Sequence, residues 1–319
     1  MINLDTITKS FTYRGHHIPA VSELSLTVPE GEICALVGPN GAGKTTTLRM
    51  LTTLMRPTSG TITVHGRDTR RDAARVRGML GYVPQRGSVS GEERVRDELI
   101  FQGALFGMSQ ARAAQRADEL LTSCDLHDMA HRKAQQLSGG QKRRVDIALA
   151  LMHSPSVLIL DEPTVGLDPQ SRAELAQQVT ALRESLGVTV IMTTHYLDEA
   201  ESLADRIVVI DHGTVIADAT ARQLVSRYAR DRIVITTNSP GNASLAGGVL
   251  SEYSPEIHDS EVRLALSDAA SATPHVTALL THANIPVQRF EVTQGVSTMS
   301  SLPSSAEHSA TNETRKPTR

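Results

Sequence analysis

The chain has 319 residues, a length that suggests about two folded domains. Its composition of 39% hydrophobic and 21% charged residues excludes a chain that is disordered throughout. Its 32 basic and 35 acidic residues give a net charge of -3, and this near-neutral balance argues against a dedicated nucleic-acid binder. No apolar run approaches the roughly 20 residues of a membrane-spanning helix, and we expect no signal peptide. Two cysteines without CxxC spacing, Cys34 and Cys124, predict buried reduced thiols rather than a zinc site or a disulfide scaffold.

Residues 1–36 predict short β-strands. Apolar and polar residues alternate on either side of a polar turn at 14–17. The segment Ile33–Val37 is apolar throughout, which is typical of a strand covered on both faces of a sheet. Residues 45–54 then predict a helix.

The middle of the chain predicts a helical insert followed by alternating helices and strands. Between about 92 and 130, apolar residues recur at helical spacing, and we assign a helical subdomain to about 86–140. Beyond it, helices and strands alternate, which indicates an α/β fold with parallel strands. The predicted helices span about 141–152, 171–185 and 197–204, and the predicted strands span 157–160, 188–194 and 207–210.

The composition changes after about residue 222. We predict a first domain at 1–225 and a small α+β domain at 226–297. The predicted elements of this small domain are strands at 233–237, 261–266 and 287–292 and a helix at 272–283. Residues 298–319 are rich in Ser, Thr, Pro and charge, and we predict a disordered tail there.

The strongest local motif lies between the strand at 33–37 and the helix at 45–54. It fits G-x-x-x-x-G-K-[ST], the phosphate-binding P-loop, with Gly38, Pro39, Asn40, Gly41, Ala42, Gly43, Lys44 and Thr45. Glycines let the backbone wrap around phosphates with its N–H groups pointing inward, and the helix N-terminus adds partial positive charge. We expect Lys44 to reach the β- and γ-phosphates of a nucleotide, Thr45 to coordinate Mg²⁺, and Thr46 to donate to another phosphate oxygen.

A second motif places two acids after an apolar strand. Asp161 and Glu162 follow residues 157–160, so we expect them at the carboxyl edge of a parallel sheet, where ligands bind. Asp161 fits a carboxylate beside Mg²⁺, and Glu162 is placed to polarise an attacking water as a general base. A strand that ends in acids is often merely solvated, and the upstream P-loop gives this motif its weight.

A third motif opens the helix predicted at 141–152. It consists of Ser138, Gly139, Gly140 and Gln141, which follow Leu137. A Ser-Gly-Gly before a helix caps its N-terminus and leaves N–H groups that can bind an anion, although in isolation it is more often an ordinary cap. A nucleotide needs only one such phosphate site, so a second one in the same chain calls for an explanation.

The sequence LSGGQ at 137–141, upstream of the strand that ends in Asp161 and Glu162, resembles the signature of ATP-binding-cassette (ABC) ATPases. In that family the signature of one subunit closes over the ATP held by the P-loop of the other. The resemblance spans about residues 1–225. It implies an α/β P-loop fold of ABC ATPase type: a mixed sheet core with an antiparallel β subdomain and a helical subdomain, to which a small C-terminal α+β domain is added here.

Three further residues match motifs of the same family in the right order. Gln85 resembles the Q-loop glutamine, which contacts Mg²⁺ and begins the loop that meets the transport partner. Asp168 ends a D-loop-like segment, and since Pro169 follows, it also predicts a helix N-cap. His195 resembles the switch histidine that senses the γ-phosphate.

The family also places an aromatic side chain against adenine, upstream of the P-loop. Phe11 and Tyr13 are both available in this sequence. We favour Phe11, because the residues that precede it resemble the family's approach to that position. Packing of the two aromatics within a β-strand is the alternative.

The resemblance implies the ATP-binding and ATP-hydrolysing subunit of an ABC transporter, similar to bacterial exporter ATPases of the daunorubicin-resistance type. We expect ATP and Mg²⁺ as cofactors, a second ABC ATPase subunit in a homodimer, and an integral membrane permease that docks at about 86–108. The expected location is the cytoplasmic face of the membrane, and the expected substrate is drug-like, lipid or otherwise amphipathic. The alternative is a non-transport ABC ATPase with a nucleic-acid or ribosome partner, but the sequence has no second P-loop and no long heptad region, and we expect no nucleic acid.

Overall fold

The computed structural model describes residues 1–13, 15–87, 89, 91–228, 231–266 and 268–293. They fall into two compact units, the first over residues 1–221 and the second from residue 222 onward. This division lies slightly before the domain boundary that we predict after residue 225. The tail predicted at 298–319 lies outside the described residues.

The first unit is built from strands and helices that alternate along much of its length. Its strands are β1 (Ile2–Tyr13), β2 (His16–Val28), β3 (Ile33–Val37), β4 (Ser59–Val64), β5 (Arg67–Asp68), β6 (Leu80–Val83), β7 (Val157–Asp161), β8 (Thr189–Thr194), β9 (Arg206–Asp211) and β10 (Thr214–Ala219). Its helices are α1 (Lys44–Leu51), α2 (Ala73–Met79), α3 (Val95–Leu105), α4 (Gln110–Ser123), α5 (Gly139–Leu151), α6 (Pro169–Leu186) and α7 (Leu197–Leu203). Helix α8 (Ala221–Tyr228) begins at the unit boundary, and all of it after Ala221 belongs to the second unit.

Strands β1 and β2 form a long antiparallel hairpin, and our prediction of short strands there is wrong. Pairing continues from Ile2 opposite Val28 to Tyr13 opposite His16. The hairpin is exposed towards its tip, so its sequence shows no hydrophobic alternation there. Backbone pairing between the two strands nevertheless continues to the turn. The hairpin continues into an antiparallel sheet of order β2-β1-β4-β5.

The second sheet has the order β10-β9-β3-β8-β7-β6. The strands from β9 to β6 are parallel, and only β10 runs antiparallel to its neighbour. Strands β3, β7 and β8 are buried along their whole length, as expected for central strands covered on both faces. Leu4 and Ile62 of the antiparallel sheet share one hydrophobic core with Leu36 and Ile159 of the parallel sheet. The predicted mixed-sheet core with an antiparallel β subdomain is therefore confirmed.

The predicted helical subdomain is also present. Helices α3 and α4 pack against each other, and α4 buries one face that carries Ala113, Ala117, Leu120 and Leu121. Helices α5, α6 and α7 lie close to the positions that the sequence predicts. Among the described residues, no helix combines the length and the apolar character that crossing a bilayer requires.

After α8, the second unit has the element order β-α-β-β-α-β. It consists of β11 (Asp231–Thr237), α9 (Pro240–Val249), β12 (Glu256–His258), β13 (Glu261–Leu266), α10 (Ala269–His282) and β14 (Val287–Thr293). Its antiparallel sheet has the order β12-β13-β11-β14, the arrangement of a ferredoxin-like split β-α-β fold. The sequence predicts β11, β13, α10 and β14 but misses two elements. It misses β12, which is only three residues long, and α9, because this helix contains three glycines. Ser239 caps α9 and Pro240 occupies its first turn, which offsets that low propensity.

Candidate active site

The chemistry-bearing residues of the first unit follow the carboxyl ends of its parallel strands. The P-loop follows β3, Gln85 follows β6, and His195 follows β8. Asp161 is the last residue of β7, and Glu162 comes directly after it. Because parallel strands end at the same edge of a sheet, four segments that are distant in the sequence meet there.

The backbone of the P-loop is packed so closely that two of its glycines are required. A Cβ atom at Gly38 would lie 2.1 Å from the carbonyl oxygen of Ile210, and one at Gly43 would lie 2.4 Å from that of Ala20. Gly43 also has a φ of 103° and caps the N-terminus of α1. The loop therefore directs the first amides of α1 towards the site, where an anion is stabilised by the helix dipole.

The side chain of Lys44 is folded back across its own loop. Its ammonium group donates to the carbonyl oxygens of Gly38 at 2.6 Å and Pro39 at 3.0 Å, and Lys44 is only 4% exposed. Burial lowers the pKa of Lys44, while the nearby carboxylates of Glu162 and Asp161 favour its charged form. This ammonium is held by neutral acceptors, so a phosphate at the same place offers it a stronger, charge-assisted partner.

Asp161 is the centre of a buried hydrogen-bond cluster. Its Oδ1 accepts from the hydroxyls of Thr193 at 2.8 Å and Thr45 at 3.2 Å, and its Oδ2 accepts from Tyr82 at 3.3 Å. Burial and the adjacent carboxylate of Asp161 raise the pKa of Tyr82 to about 12, so its hydroxyl stays a donor. The pairing of Asp161 with Thr45 joins two oxygen donors of the kind that Mg²⁺ prefers.

Glu162 lies where three predicted site residues converge. Its Oε2 accepts from the amide nitrogen of Gln85 at 2.7 Å, and its Oε1 lies 3.6 Å from Nδ1 of His195 and 4.0 Å from Nζ of Lys44. Its φ of 45° is sparsely populated by non-glycine residues and costs about 1–3 kcal/mol. The N–H of Glu162 donates to Thr193 at 2.9 Å, which helps to hold this conformation.

A cleft of about 200 Å³ opens between the P-loop and Glu162. It is lined by Asn40, Gly41, Ala42, Gly43, Lys44, Thr45, Thr46, Gln85 and Glu162. These residues supply backbone amides, one ammonium group, hydroxyls and a carboxylate, a donor set that fits a phosphate chain with a divalent cation beside it. A larger groove of about 770 Å³ lies between α6 and α7, but no P-loop residue lines it. The smaller cleft is therefore the candidate active site.

The signature segment is not part of this cleft. Ser138 is exposed and caps α5 by accepting from the N–H of Gln141, whose side chain accepts from the N–H of Ser138 in turn. A Cβ atom at Gly140 would lie 3.1 Å from Oγ of Ser171, whose hydroxyl donates to Asp168. The signature thus lies beside the D-loop, and one chain does not bring it to its own P-loop cleft.

Asp168 has the capping role that its sequence context predicts. Its side chain accepts from the N–H of Ser171 at 2.9 Å, and Pro169 starts α6. These hydrogen bonds from Ser171 lower the pKa of Asp168. Asp168 does not line the P-loop cleft of its own chain, so it has no contact there through which it could act in catalysis.

The two candidate aromatics lie on the hairpin next to the P-loop. Phe11 pairs with Ile18, close along β2 to Ala20, which contacts Gly43. Lys9 places its ammonium 5.5 Å from the centre of the Phe11 ring. Tyr13 lies farther out and is more exposed than Phe11. The hairpin geometry therefore favours Phe11 as the residue nearer to the cleft, and the choice between the two stays a prediction.

Sequence reasoning missed a buried arginine that ties the site together. The guanidinium of Arg143 donates to the carbonyl oxygens of Pro84 at 2.6 Å, Pro163 at 2.9 Å and Asp161 at 3.1 Å. It thereby fixes the segment before Gln85 to the segment around Glu162. Its only signal in the sequence is a charged residue at a helix position that faces the core. Thr193 is one of three threonines in β8 and carries no comparable signal.

Cys34 and Cys124 are free and buried, as the sequence predicts. Burial raises the pKa of each thiol to about 12, so both are protonated at neutral pH. Neither residue takes part in the active-site contacts described above.

Comparison with known proteins agrees with this geometry. Residues 21–165 match the family model described as ABC transporter. The daunorubicin resistance ATP-binding protein DrrA3 of Streptomyces coeruleorubidus is 44% identical over 72% of this chain and 73% of its own length. The linearmycin resistance ATP-binding protein LnrL of Bacillus subtilis is 38% identical over 89% of this chain and 90% of its own length.

Solved structures lead to the same family. The dimeric ATP-binding cassette MJ0796, in a post-hydrolysis state with ADP and Pi, is 29% identical, with a TM-score of 0.63 over 70% of this chain and 99% of its own. The protein cbiO1 of Clostridium perfringens, part of the ABC transporter complex cbiONQ, is 26% identical, with a TM-score of 0.65 over 71% of this chain and 90% of its own. The chain therefore belongs to the ATP-binding proteins of ABC transporters, a family that binds ATP with Mg²⁺ and hydrolyses it.

Proposed function

We propose that this chain powers the export of a drug-like, lipid or otherwise amphipathic substrate through a separate membrane-spanning partner. The observation that carries the proposal is the separation of two intact halves of one ATPase site. Lys44, Asp161 and Glu162 gather at the P-loop cleft, while Ser138 lies exposed elsewhere on the same unit. A homodimer in which each signature closes the other copy's cleft would use both halves. The dimeric state of the MJ0796 cassette supports this arrangement.

Within the cleft we assign the binding roles by chemical type. The amides of the P-loop and the ammonium of Lys44 hold the phosphates, and Thr46 donates to a further phosphate oxygen. Thr45, Gln85 and Asp161 supply oxygen atoms to Mg²⁺ or to its water ligands. When bound, Mg²⁺ neutralises charge on the phosphates of ATP.

The hydrolytic roles follow from the contacts of Glu162. Its carboxylate takes a proton from the attacking water, and Gln85 fixes the orientation of that carboxylate. His195, whose Nδ1 lies 3.6 Å from Glu162, contacts the γ-phosphate end of the site. Ser138 and Asp168 contribute from the partner copy, and Phe11, or alternatively Tyr13, stacks on adenine.

The membrane partner is proposed to dock beside α3. Leu54, Phe101, Leu105 and Phe106 are large apolar residues that are exposed on this part of the first unit. A cavity of about 390 Å³ lies next to them, lined in part by Tyr82 and by His153, whose ring stacks on Phe106. An apolar patch of this kind marks an interaction surface, and it overlaps the segment at 86–108 predicted for the permease. Docking there would hold the chain at the cytoplasmic face of the membrane.

The substrate class rests on the names of the relatives. DrrA of Streptomyces peucetius, 40% identical over 86% of this chain and 84% of its own length, is a daunorubicin/doxorubicin resistance protein. LnrL is a linearmycin resistance protein. Both names refer to resistance against a drug-like compound, and we infer a substrate of that kind for this chain. A non-transport role on nucleic acid or ribosomes is the competing hypothesis.

The test is purification of the tagged chain from its host in mild detergent, followed by transport in inverted vesicles. We expect a stoichiometric integral membrane protein and ATP-dependent uptake of a fluorescent anthracycline. Glu162→Gln should retain the partner and lose uptake, and Phe101→Glu should lose the partner while ATP binding persists. A chain that instead elutes with ribosomes or nucleic acid, without a membrane protein, would overturn the proposal.

A further inference from the structure

The sheet of the second unit ends in two unlike edge strands. On one side β12 is three residues long and follows Pro255, so it offers little backbone for further pairing. On the other side β14 is seven residues long and, among the described residues, pairs only with β11. Natural proteins usually protect such an edge by shortening it, placing charged side chains on it, interrupting it with proline or bulging it. From Val287 to Thr293, β14 contains no proline, and its one register irregularity lies at its start.

The side chains of β14 divide between the two faces of the sheet. Phe290 lies opposite Ile235, which is fully buried, so this residue faces the helix-covered side. Arg289 and Glu291 lie opposite Thr236 and Val234, on the other side, and form an ion pair with each other. Two valines at the ends of the strand stay partly exposed, Val287 at 38% and Val292 at 44%. The edge thus combines apolar surface with one positive and one negative charge.

This charge pattern is self-complementary in a single antiparallel register. Two copies of β14 related by a twofold axis through Phe290 would place Arg289 of each copy opposite Glu291 of the other. A shift of the axis to Arg289 or to Glu291 would oppose like charges at the centre, which destabilises a sheet. If the axis passed between two residues, each residue on the helix-covered face would lie opposite a residue on the open face. Directly opposed residues in an antiparallel sheet must lie on the same face, so this register is excluded.

From this pattern we infer that β14 is a docking edge for a second copy of this chain. Pairing along it joins two four-stranded sheets into one continuous sheet with the self-complementary contacts of a twofold dimer. The inference goes beyond the proposed function, because the pairing needs neither ATP nor a membrane partner. As a consequence, two copies stay associated through their C-terminal units even when no ATP holds the two cassettes together.

The first test measures the mass of the full chain in solution without nucleotide, over a range of protein concentrations. We expect a concentration-dependent dimer. Arg289→Glu should raise its dissociation constant about tenfold, because both symmetric contacts then oppose like charges. Glu291→Arg should do the same, and the double variant R289E/E291R should restore the dimer. A chain that stays monomeric, or a double variant that stays weak, overturns the inference.

The matched control is a second Arg–Glu pair on the same sheet. Arg263 and Glu261 lie two residues apart on β13, an interior strand, with their charged groups 2.9 Å apart. Arg263→Glu should leave the dimer unchanged, and an equal loss there would refute the role of the edge. A thermal melt of each variant separates unfolding from loss of pairing. The ATPase activity and membrane partner of Arg289→Glu are measured separately, so failure of the proposed function is distinguished from failure of the edge.

A cross-linking experiment tests the register. The axis through Phe290 places residue 288 of each copy opposite residue 292 of the other, so Gln288→Cys combined with Val292→Cys should form a disulfide-linked dimer on mild oxidation. These two positions lie about 13 Å apart within one strand, too far for a bond inside a single copy. Cys34 and Cys124 are buried and do not compete. Absence of the cross-linked dimer would refute this register.

Discussion

Replacement of Glu199 tests whether a buried carboxylate outside the cleft fixes the segments that carry Glu162 and His195. Glu199 is 8% exposed, and its Oε2 accepts from the hydroxyls of Thr164 and Thr194, each at 2.6 Å. Its Oε1 lies 3.3 Å from the guanidinium of Arg172. One carboxylate therefore connects the segment after Glu162 with the residue before His195.

The expected cost of Glu199→Ala follows from these contacts. Two hydroxyls lose their acceptor, at about 1 kcal/mol each. Arg172 loses a buried partner, but its side chain is 33% exposed, so solvent replaces much of that interaction, and we assign about 1 kcal/mol to it. We expect the free energy of unfolding to fall by about 3 kcal/mol in total. Glu199→Gln keeps an oxygen for the hydroxyls and should cost about 1 kcal/mol.

Denaturant unfolding measures the loss of stability in Glu199→Gln, and ATPase kinetics measure the effect of this variant on turnover. The guanidinium of Arg172 also donates to the carbonyl of Leu167 and lies over the ring of Tyr196, so loss of its partner should loosen both segments. We expect kcat to fall about tenfold while the KM for ATP stays within about twofold. The matched control is Glu174→Gln, which breaks a more exposed pair with Arg144 and should change stability by less than about 0.5 kcal/mol. A Glu199→Ala variant as stable as the wild-type chain would refute the reasoning.

Three further outcomes are expected. Glu162→Gln should bind ATP normally, hydrolyse it at least about 100-fold more slowly and accumulate as an ATP-bound dimer, and near-normal turnover would remove Glu162 from the base role. Lys44→Ala should lose most of its affinity for a fluorescent ATP analogue, and unchanged binding would contradict the P-loop assignment. Because burial raises the thiol pKa to about 12, Cys34 and Cys124 should resist a thiol reagent at pH 8 in the folded chain and react fully in denaturant; rapid labelling of the native protein would contradict their burial.

Local sequence rules predicted the elements whose signals are short-range. The all-apolar segment Ile33–Val37 is a buried strand with the predicted bounds, because a strand covered on both faces has no polar side. Asp168 with Pro169 predicted the start of α6, because a cap uses hydrogen bonds within one turn. Ser138 predicted the start of α5 for the same reason. In each case the deciding contacts lie a few residues apart along the chain.

Prediction failed where the deciding contacts are distant. The outer part of the β1–β2 hairpin is exposed and carries no hydrophobic alternation, so only its cross-strand pairing defines it. Helix α9 contains glycines that disfavour a helix, and burial of Ala243 and Ala246 against the sheet offsets that cost. The role of Arg143 was missed in the sequence, because its three carbonyl partners are brought to it by packing.

The sequence by itself determined which residue types the site contains and the strands they follow. Glycine spacing, a lysine and a hydroxyl predict a phosphate-binding loop, and the acids after an apolar strand predict a place for Mg²⁺ beside it. Only the tertiary structure decided which of these side chains meet. Gln85 and Glu162 are 77 positions apart, yet they share a 2.7 Å hydrogen bond. They meet because β6 and β7 are parallel neighbours in the sheet. Local patterns show that a strand is buried, but which strands become neighbours depends on packing between distant segments of the chain.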